Sequence, residues 1–158
     1  PCLRNTNIVS IDFKSIKASE LNFIHNFPNG FQSSQICTIS RYAGISNRVS
    51  SIGIFDVFNN EISYALLSQL IWYFIEGFCL RIKENPYSKD FKGNSYYVSI
   101  GDQQLKFYNS DLSQKWWVEL DNNSKNNTLI PCNNKDYIDA CNQIISGRIL
   151  LSFKRNFV

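Results

Sequence analysis

The sequence predicts an α/β protein, and three observations carry that prediction. Two short runs, Ile8-Val9-Ser10-Ile11-Asp12-Phe13 and Ser51-Ile52-Gly53-Ile54-Phe55-Asp56-Val57, are rich in β-branched and apolar residues, which is the composition of buried strands. A helical pattern follows each run, over 32–42 and over 61–83. The resulting order is strand, helix, strand, helix. With nearly continuous apolar strands, it predicts a parallel sheet buried on both faces between helices.

The first strand is expected over 7–13. It runs out in Lys14-Ser15-Ile16-Lys17, and a loop continues to the turn signal Pro28-Asn29-Gly30. In the following helix, Ile36, Ile39 and Ala43 recur at helical spacing; Ser33 or Ser34 is placed to cap its start, and Gly44 fits a left-handed C-terminal cap. A helix crossing between the two strands makes them parallel, with a right-handed connection. The second helix stops before Pro86. Being apolar on nearly all sides, it is expected to be the most buried helix, with Leu66, Leu70, Phe74 and Phe78 against the sheet.

The character changes at Pro86, so residues 1–85 read as the α/β part and 86–158 as an antiparallel strand-plus-helix extension. Short strands are expected over 96–100, 105–108 and 115–120, joined by Gly101-Asp102 and Asn109-Ser110-Asp111. The Asn-rich stretch 121–127 reads as a surface loop. A helix over 134–145 is capped by Asn133 or Asn134 and ended by Gly147. Alternation sends Trp116 and Trp117 to opposite faces of their strand, one into the core and the other under a covering element or into an interface.

Composition narrows the function classes. Apolar residues make up 44% of the 158 residues and aromatics 15%, enough for a real core. The net charge is +3, and the basic residues are scattered, with Lys154-Arg155 near Arg148 the densest group. Nucleic-acid binding calls for a basic stripe, so it is not expected. The run 65–82 includes Ser68, Gln69, Glu76 and Gly77, which reads as a buried helix rather than a membrane span. The five cysteines (Cys2, Cys37, Cys79, Cys132 and Cys141) form no C-x-x-C pair. A reduced, cytoplasmic setting is the simplest reading, and zinc ligation is not expected. Pro1 is consistent with an excised initiator Met and equally with a chain cut from a longer one.

Chemistry is expected at the strand ends. In open α/β sheets, ligands bind outside the carboxyl ends of the strands. Asp12 sits at such an end, as a candidate for metal coordination or acid–base work, or else as a helix cap or salt-bridge partner. Asp56 ends the second strand in the same way, and in one parallel sheet the two carboxylates face one crevice. His25, alone in a polar loop, reads more simply as solvated than as a site residue.

At these same residues the chain resembles the ureohydrolases, the arginase, agmatinase and formimidoylglutamase family. Ser10-Ile11-Asp12-Phe13 resembles that family's last metal-binding strand, which carries an S-F-D-x-D type pattern, and Pro28-Asn29-Gly30 resembles its P-x-G loop. Ile39-Ser40-Arg41-Tyr42-Ala43-Gly44-Ile45-Ser46, Ser51 through Asp56, and Leu70-Ile71-Trp72-Tyr73-Phe74-Ile75-Glu76-Gly77-Phe78 resemble a bacterial formimidoylglutamase-like branch. Trp116-Trp117, Pro131-Cys132 and the stretch from Asp136-Tyr137 to Ala140-Cys141 resemble that branch's C-terminal extension, so the likeness covers nearly the whole chain.

The resemblance implies the C-terminal part of a three-layer αβα, arginase-like fold with two Mn²⁺ ions. A metal-bridging hydroxide there hydrolyses a guanidino or formimino small molecule. Asp12 would then match a metal ligand, and Asp56 would match a Glu that holds the substrate's cationic group. The chain departs from the pattern where it matters: Lys14 stands in place of the pair's second Asp, Asp56 is one carbon shorter than Glu, and the family's His and D-A-H-x-D ligands have no counterpart here. The expectation is therefore a chain with no catalytic residue of its own and a doubtful metal site, in which Lys14 lies beside Asp12 on one strand face and pairs with it. An incomplete sheet would expose an edge and invite association with itself or with a partner chain.

Overall fold

The computed structural model describes residues 2–22, 28–101, 103–120 and 128–156. The chain divides into two compact units, Cys2–Lys83 and Glu84–Val158. The fold is mixed α/β, with a two-stranded parallel sheet in the first unit and a four-stranded antiparallel sheet in the second.

In the first unit, β1 (Ile8–Asp12) pairs in parallel with β2 (Ser51–Phe55), with Asp12 opposite Phe55 in the register. The crossing helix between them is α2 (Ser33–Ile45). The expectation of two parallel strands joined through this helix holds. Burial on both faces does not: Val9 and Ile11 are buried while Ile8, Ser10 and Asp12 are exposed. The reason lies in the helices. Val9 and Ile11 share one core with Ile36, Cys37 and Ala43 of α2 and with Leu66 and Leu70 of α3 (Glu61–Cys79). The opposite face of the strand has no such cover among the described residues.

After β1 the chain turns through a short 3-10 segment, Phe13–Ser15, and a one-turn helix α1, Ala18–Leu21. Phe13, Ile16 and Leu21 are fully buried and extend the core. Helix α2 starts at Ser33, so neither expected serine acts as its cap. The orphan amide of Ser33 instead donates to the Glu20 carboxylate at 3.1 Å, and that of Gln32 to Gln35 Oε1 at 2.9 Å. Gly44 lies inside α2, and the cap residue is Ser46 in extended backbone. The close packing of α2 on α3 uses Gly44 for proximity rather than for a left-handed turn.

Helix α3 is capped by Asn60, whose side chain accepts from the Ser63 amide at 2.8 Å. It ends at Cys79, four residues short of the expected Lys83. Arg81 folds back there: its Nε donates to the Gly44 carbonyl and one Nη to the Val49 carbonyl at 2.8 Å. That satisfies a carbonyl left open at the end of α2. The expectation that α3 is the most buried helix is overturned. Leu66 and Leu70 are buried, Phe74 is half-buried, and Phe78 is exposed along with Ile71, Trp72 and Ile75. The contact of Gly77 with α2 fixes the rotation of the helix, and Phe78, the next residue, is turned about 100° away from it.

In the second unit, β3 (Gly93–Ile100), β4 (Gln103–Ser110), β5 (Trp116–Leu120) and β6 (Thr128–Cys132) form an antiparallel meander in that order. Strand β6 was not anticipated. Pro131 argues against a central strand, but β6 is at the edge of the sheet, where a missing amide is tolerated. The expected loop over 121–127 falls outside the described residues. Helix α4 (Asn134–Cys141) opens with a reciprocal cap: Asn133 Oδ1 accepts from the Asp136 amide at 2.9 Å, and Asp136 Oδ2 accepts from the Asn133 amide at 2.8 Å. Gly147 does not end this helix. The helix stops at Cys141, and Gly147 begins another, α5 (Gly147–Asn156). Phe107, Val118, Leu120, Ile130, Ala140 and Ile149 belong to one core. Trp116 stacks on Tyr137 of α4 at 5.0 Å, while Trp117 meets Phe91 edge-on at 6.0 Å.

Candidate functional site

Because β1 and β2 are neighbours in parallel register, their carboxyl ends lie side by side. Asp12 is the last residue of β1, and Asp56 follows directly on β2. Asp56 has φ of 52°, in the left-handed region, which Asp tolerates better than most residues.

Asp12 acts first as a local cap. Its Oδ1 accepts from the Lys14 amide at 2.8 Å, and its carbonyl accepts from Ser15 Oγ at 2.6 Å. The turn so formed takes Lys14 off the strand, so alternation no longer governs its direction. The expected side-chain pairing of Lys14 with Asp12 is therefore overturned: the Lys14 ammonium donates to Asp56 Oδ2 and forms an ion pair with it. That hydrogen bond and the charge of Asp56 raise the Lys14 pKa, with a smaller contribution from Asp12. Both partners are largely solvent-exposed, with side chains 59% and 48% accessible, so the pair is open to screening and exchange.

The structure thus brings Asp12, Lys14 and Asp56 together at the exposed carboxyl ends of two adjacent strands. His25 lies outside the described residues. Glu20 went unnoticed in the sequence, yet it supports this region by binding the start of α2. Hydrogen bonds from Ser33, side chain and then backbone, hold its carboxyl below the usual range. No local pattern marks such a partner thirteen positions away; the burial of Leu21 and the backbone bonds of Ser15 and Lys17 with Phe31 hold α1 where Glu20 can reach.

Asp12 and Asp56, bonded as they are, do not by themselves make a two-metal donor set. One Asp12 oxygen is engaged by a backbone amide, the Asp56 carboxylate faces an ammonium, and among the described residues no three His, Cys, Asp or Glu side chains converge. A two-metal centre needs several carboxylates and imidazoles with free lone pairs.

A second polar cluster lies on the antiparallel sheet. Lys106 Nζ sits 5.3 Å from the Tyr97 ring centre and 4.9 Å from that of Tyr108, and the Tyr108 hydroxyl donates to Glu119 at 2.6 Å. Hydrogen bonds from Lys106 to the Tyr108 and Tyr97 oxygens raise its pKa. These groups satisfy one another, and the cation between the rings belongs to the chain itself. Comparison with family models, with curated proteins and with solved structures finds no match for this chain.

Proposed function

We propose that this chain is the C-terminal portion of a ureohydrolase-type protein, and that Asp12 and Asp56 line the crevice where a guanidino or formimino group would be held. By itself the chain does not carry the hydrolysis. One observation supports this reading above the rest: Asp56, at the carboxyl end of a parallel strand, holds a cationic nitrogen, that of Lys14. A substrate guanidinium asks the same of a carboxylate. The sequence likeness supplies the family, and the three-layer arrangement belongs to this proposal too. Any manganese would draw its remaining ligands from residues other than those described.

A second reading is favoured by the same ion pair. With Lys14 in the position of a metal-ligating Asp and bound to Asp56, the protein is a catalytically dead relative with a structural or protein-interaction role. The coding sequence preceding the Pro1 codon separates these readings. G-G-x-H and D-A-H-x-D motifs there would support a hydrolase, whereas their absence points to the inactive relative. A direct assay accompanies it: formiminoglutamate, agmatine and arginine are offered to the chain with manganese, and ammonia, formamide and urea are measured. Turnover by the chain alone would overturn the statement that it does not carry the hydrolysis.

A further inference from the structure

Asn29-Gly30 is the single Asn-Gly step in the chain. At such a step the backbone amide can attack the preceding carboxamide, because glycine has no Cβ to crowd the attacking nitrogen. Both residues are exposed. Among the described residues, neither the Asn29 carboxamide nor the Gly30 amide has a hydrogen-bond partner. Other asparagines are held. Asn94, which precedes Ser95, donates to Asp111 at 3.1 Å. Asn109 is buried, and the amide of the next residue, Ser110, donates to the Lys115 carbonyl at 3.0 Å.

We propose that Asn29 is a modification site, at which the folded chain converts asparagine to aspartate and isoaspartate without an enzyme. Hydroxide takes the Gly30 amide proton, and the nitrogen forms a bond to Asn29 Cγ. The Cγ–Nδ2 bond breaks, and ammonia leaves with a proton from water, which restores the hydroxide. The product is a five-membered succinimide, which water then opens. Cleavage of the ring nitrogen from Cγ leaves aspartate on the normal backbone. Cleavage from the Asn29 carbonyl carbon leaves isoaspartate, in which the backbone runs through Cβ and Cγ. Either way one amide and one water become one carboxylic acid and one ammonia, and nothing is oxidised or reduced.

The two products differ in what they do to the fold. Gly30 is seated on the backbone of 15–17: a Cβ there would lie 2.6 Å from the Ser15 carbonyl oxygen and 2.9 Å from the Lys17 nitrogen. Phe31, the next residue, is bridged to the same segment. Its amide donates to the Ser15 carbonyl at 2.8 Å, and its carbonyl accepts from the Lys17 amide at 3.0 Å. Isoaspartate adds one carbon to the backbone immediately before this seat. Gly30 has no room to move inward, so the bridge is displaced. The segment so released carries Ile16 and Leu21, both fully buried, and Glu20, which holds the start of α2. Aspartate leaves the backbone length unchanged and the bridge in place. The inference does not rest on the ureohydrolase reading.

For the test, the full folded chain is kept in warm, mildly alkaline buffer beside a sample unfolded in urea. Proteolysis and mass spectrometry locate each converted asparagine, and labelling by a protein isoaspartate methyltransferase locates isoaspartate. In the folded chain Asn29 should convert before any other asparagine, and Asn29→Gln should lose the label at that position. Hydrogen exchange then compares the separated products. The Lys17 and Phe31 amides should lose protection in the isoaspartate fraction and keep it in the aspartate fraction. Conversion of Asn29 in urea alone overturns the proposal, because the folded loop then withholds the amide from attack. Earlier conversion of another asparagine in the folded chain overturns it too. Equal protection in the two fractions overturns the link between isoaspartate and the bridge.

Discussion

Gly44 and Gly77 face each other where α2 crosses α3. A Cβ on Gly44 would fall inside contact distance of the Phe74 carbonyl oxygen, and one on Gly77 inside that of the Arg41 carbonyl oxygen. In each case the obstructing atom is helix backbone, which cannot swing aside. Alanine in place of either glycine gains about 1 kcal/mol of helix propensity. Forcing the helices apart costs about 1–3 kcal/mol or more. The predicted outcome for Gly44→Ala and for Gly77→Ala is net destabilisation, read as a lower urea midpoint with an unchanged slope. A midpoint at or above the parent's would mean the helices do not meet here.

The rotation of α3 gives a second prediction as a contrast within one helix. Leu70 is fully buried, and Leu70→Ala should cost about 2–5 kcal/mol. Phe78 is exposed, and its recorded partner is the Arg81 guanidinium at 4.4 Å from the ring centre. Phe78→Ala should cost about 1 kcal/mol or less. Chemical denaturation of both variants checks the order, and equal losses would contradict the observed facing of the helix.

The same two sites show what was legible in the sequence. Strand–helix–strand order carried the parallel pairing of β1 and β2, because composition and periodicity are local and the crossover rule does the rest. Helix rotation was not legible. Apolar residues surround α3, so periodicity marks no inner side, and Gly77 chooses it through contact with Gly44, thirty-three positions away. Gly44 itself looked like a cap, since a glycine near a helix end suits either role. At the paired strand ends, the positions of Asp12 and Asp56 followed from the strand pattern. The direction of Lys14 did not follow, because the strand ends at Asp12, two residues before Lys14, where the Asp12 side chain caps the turn. Strand β6 was hidden by Pro131, whose meaning depends on an edge position that only tertiary structure assigns.

The reciprocal cap of α4 yields a third prediction. Asn133 and Asp136 each satisfy the other's amide. Asn133→Ala should destabilise by about 1 kcal/mol, while Asn133→Ser, which retains a capping oxygen, should recover most of it. Amide exchange within 134–141 reports the loss directly. Equal protection in the alanine variant would argue that the cap contributes nothing.

The fourth prediction concerns alkaline pH. Tyr87 is half-exposed, yet burial of its hydroxyl region raises its pKa, and the Glu119 carboxylate beside it raises it further, to about 12. Burial likewise raises Tyr108, which donates to Glu119. In the unfolded chain a tyrosine ionises near its ordinary value of about 10. Between these two values the folded state keeps a proton that the unfolded state has released. Stability from this group is therefore fully present below about pH 10 and declines as pH rises towards 12. Spectrophotometric titration at the tyrosinate band should show late-ionising rings, Tyr87 and Tyr108 among them, and Tyr87→Phe should remove part of that late amplitude. That variant should also lose less stability than the parent between neutral and strongly alkaline pH. A Glu119→Gln variant should bring the late transition earlier, since it removes the charge that opposes ionisation. If Tyr87→Phe leaves the late amplitude undiminished, Tyr87 is not among the raised rings and the assignment fails.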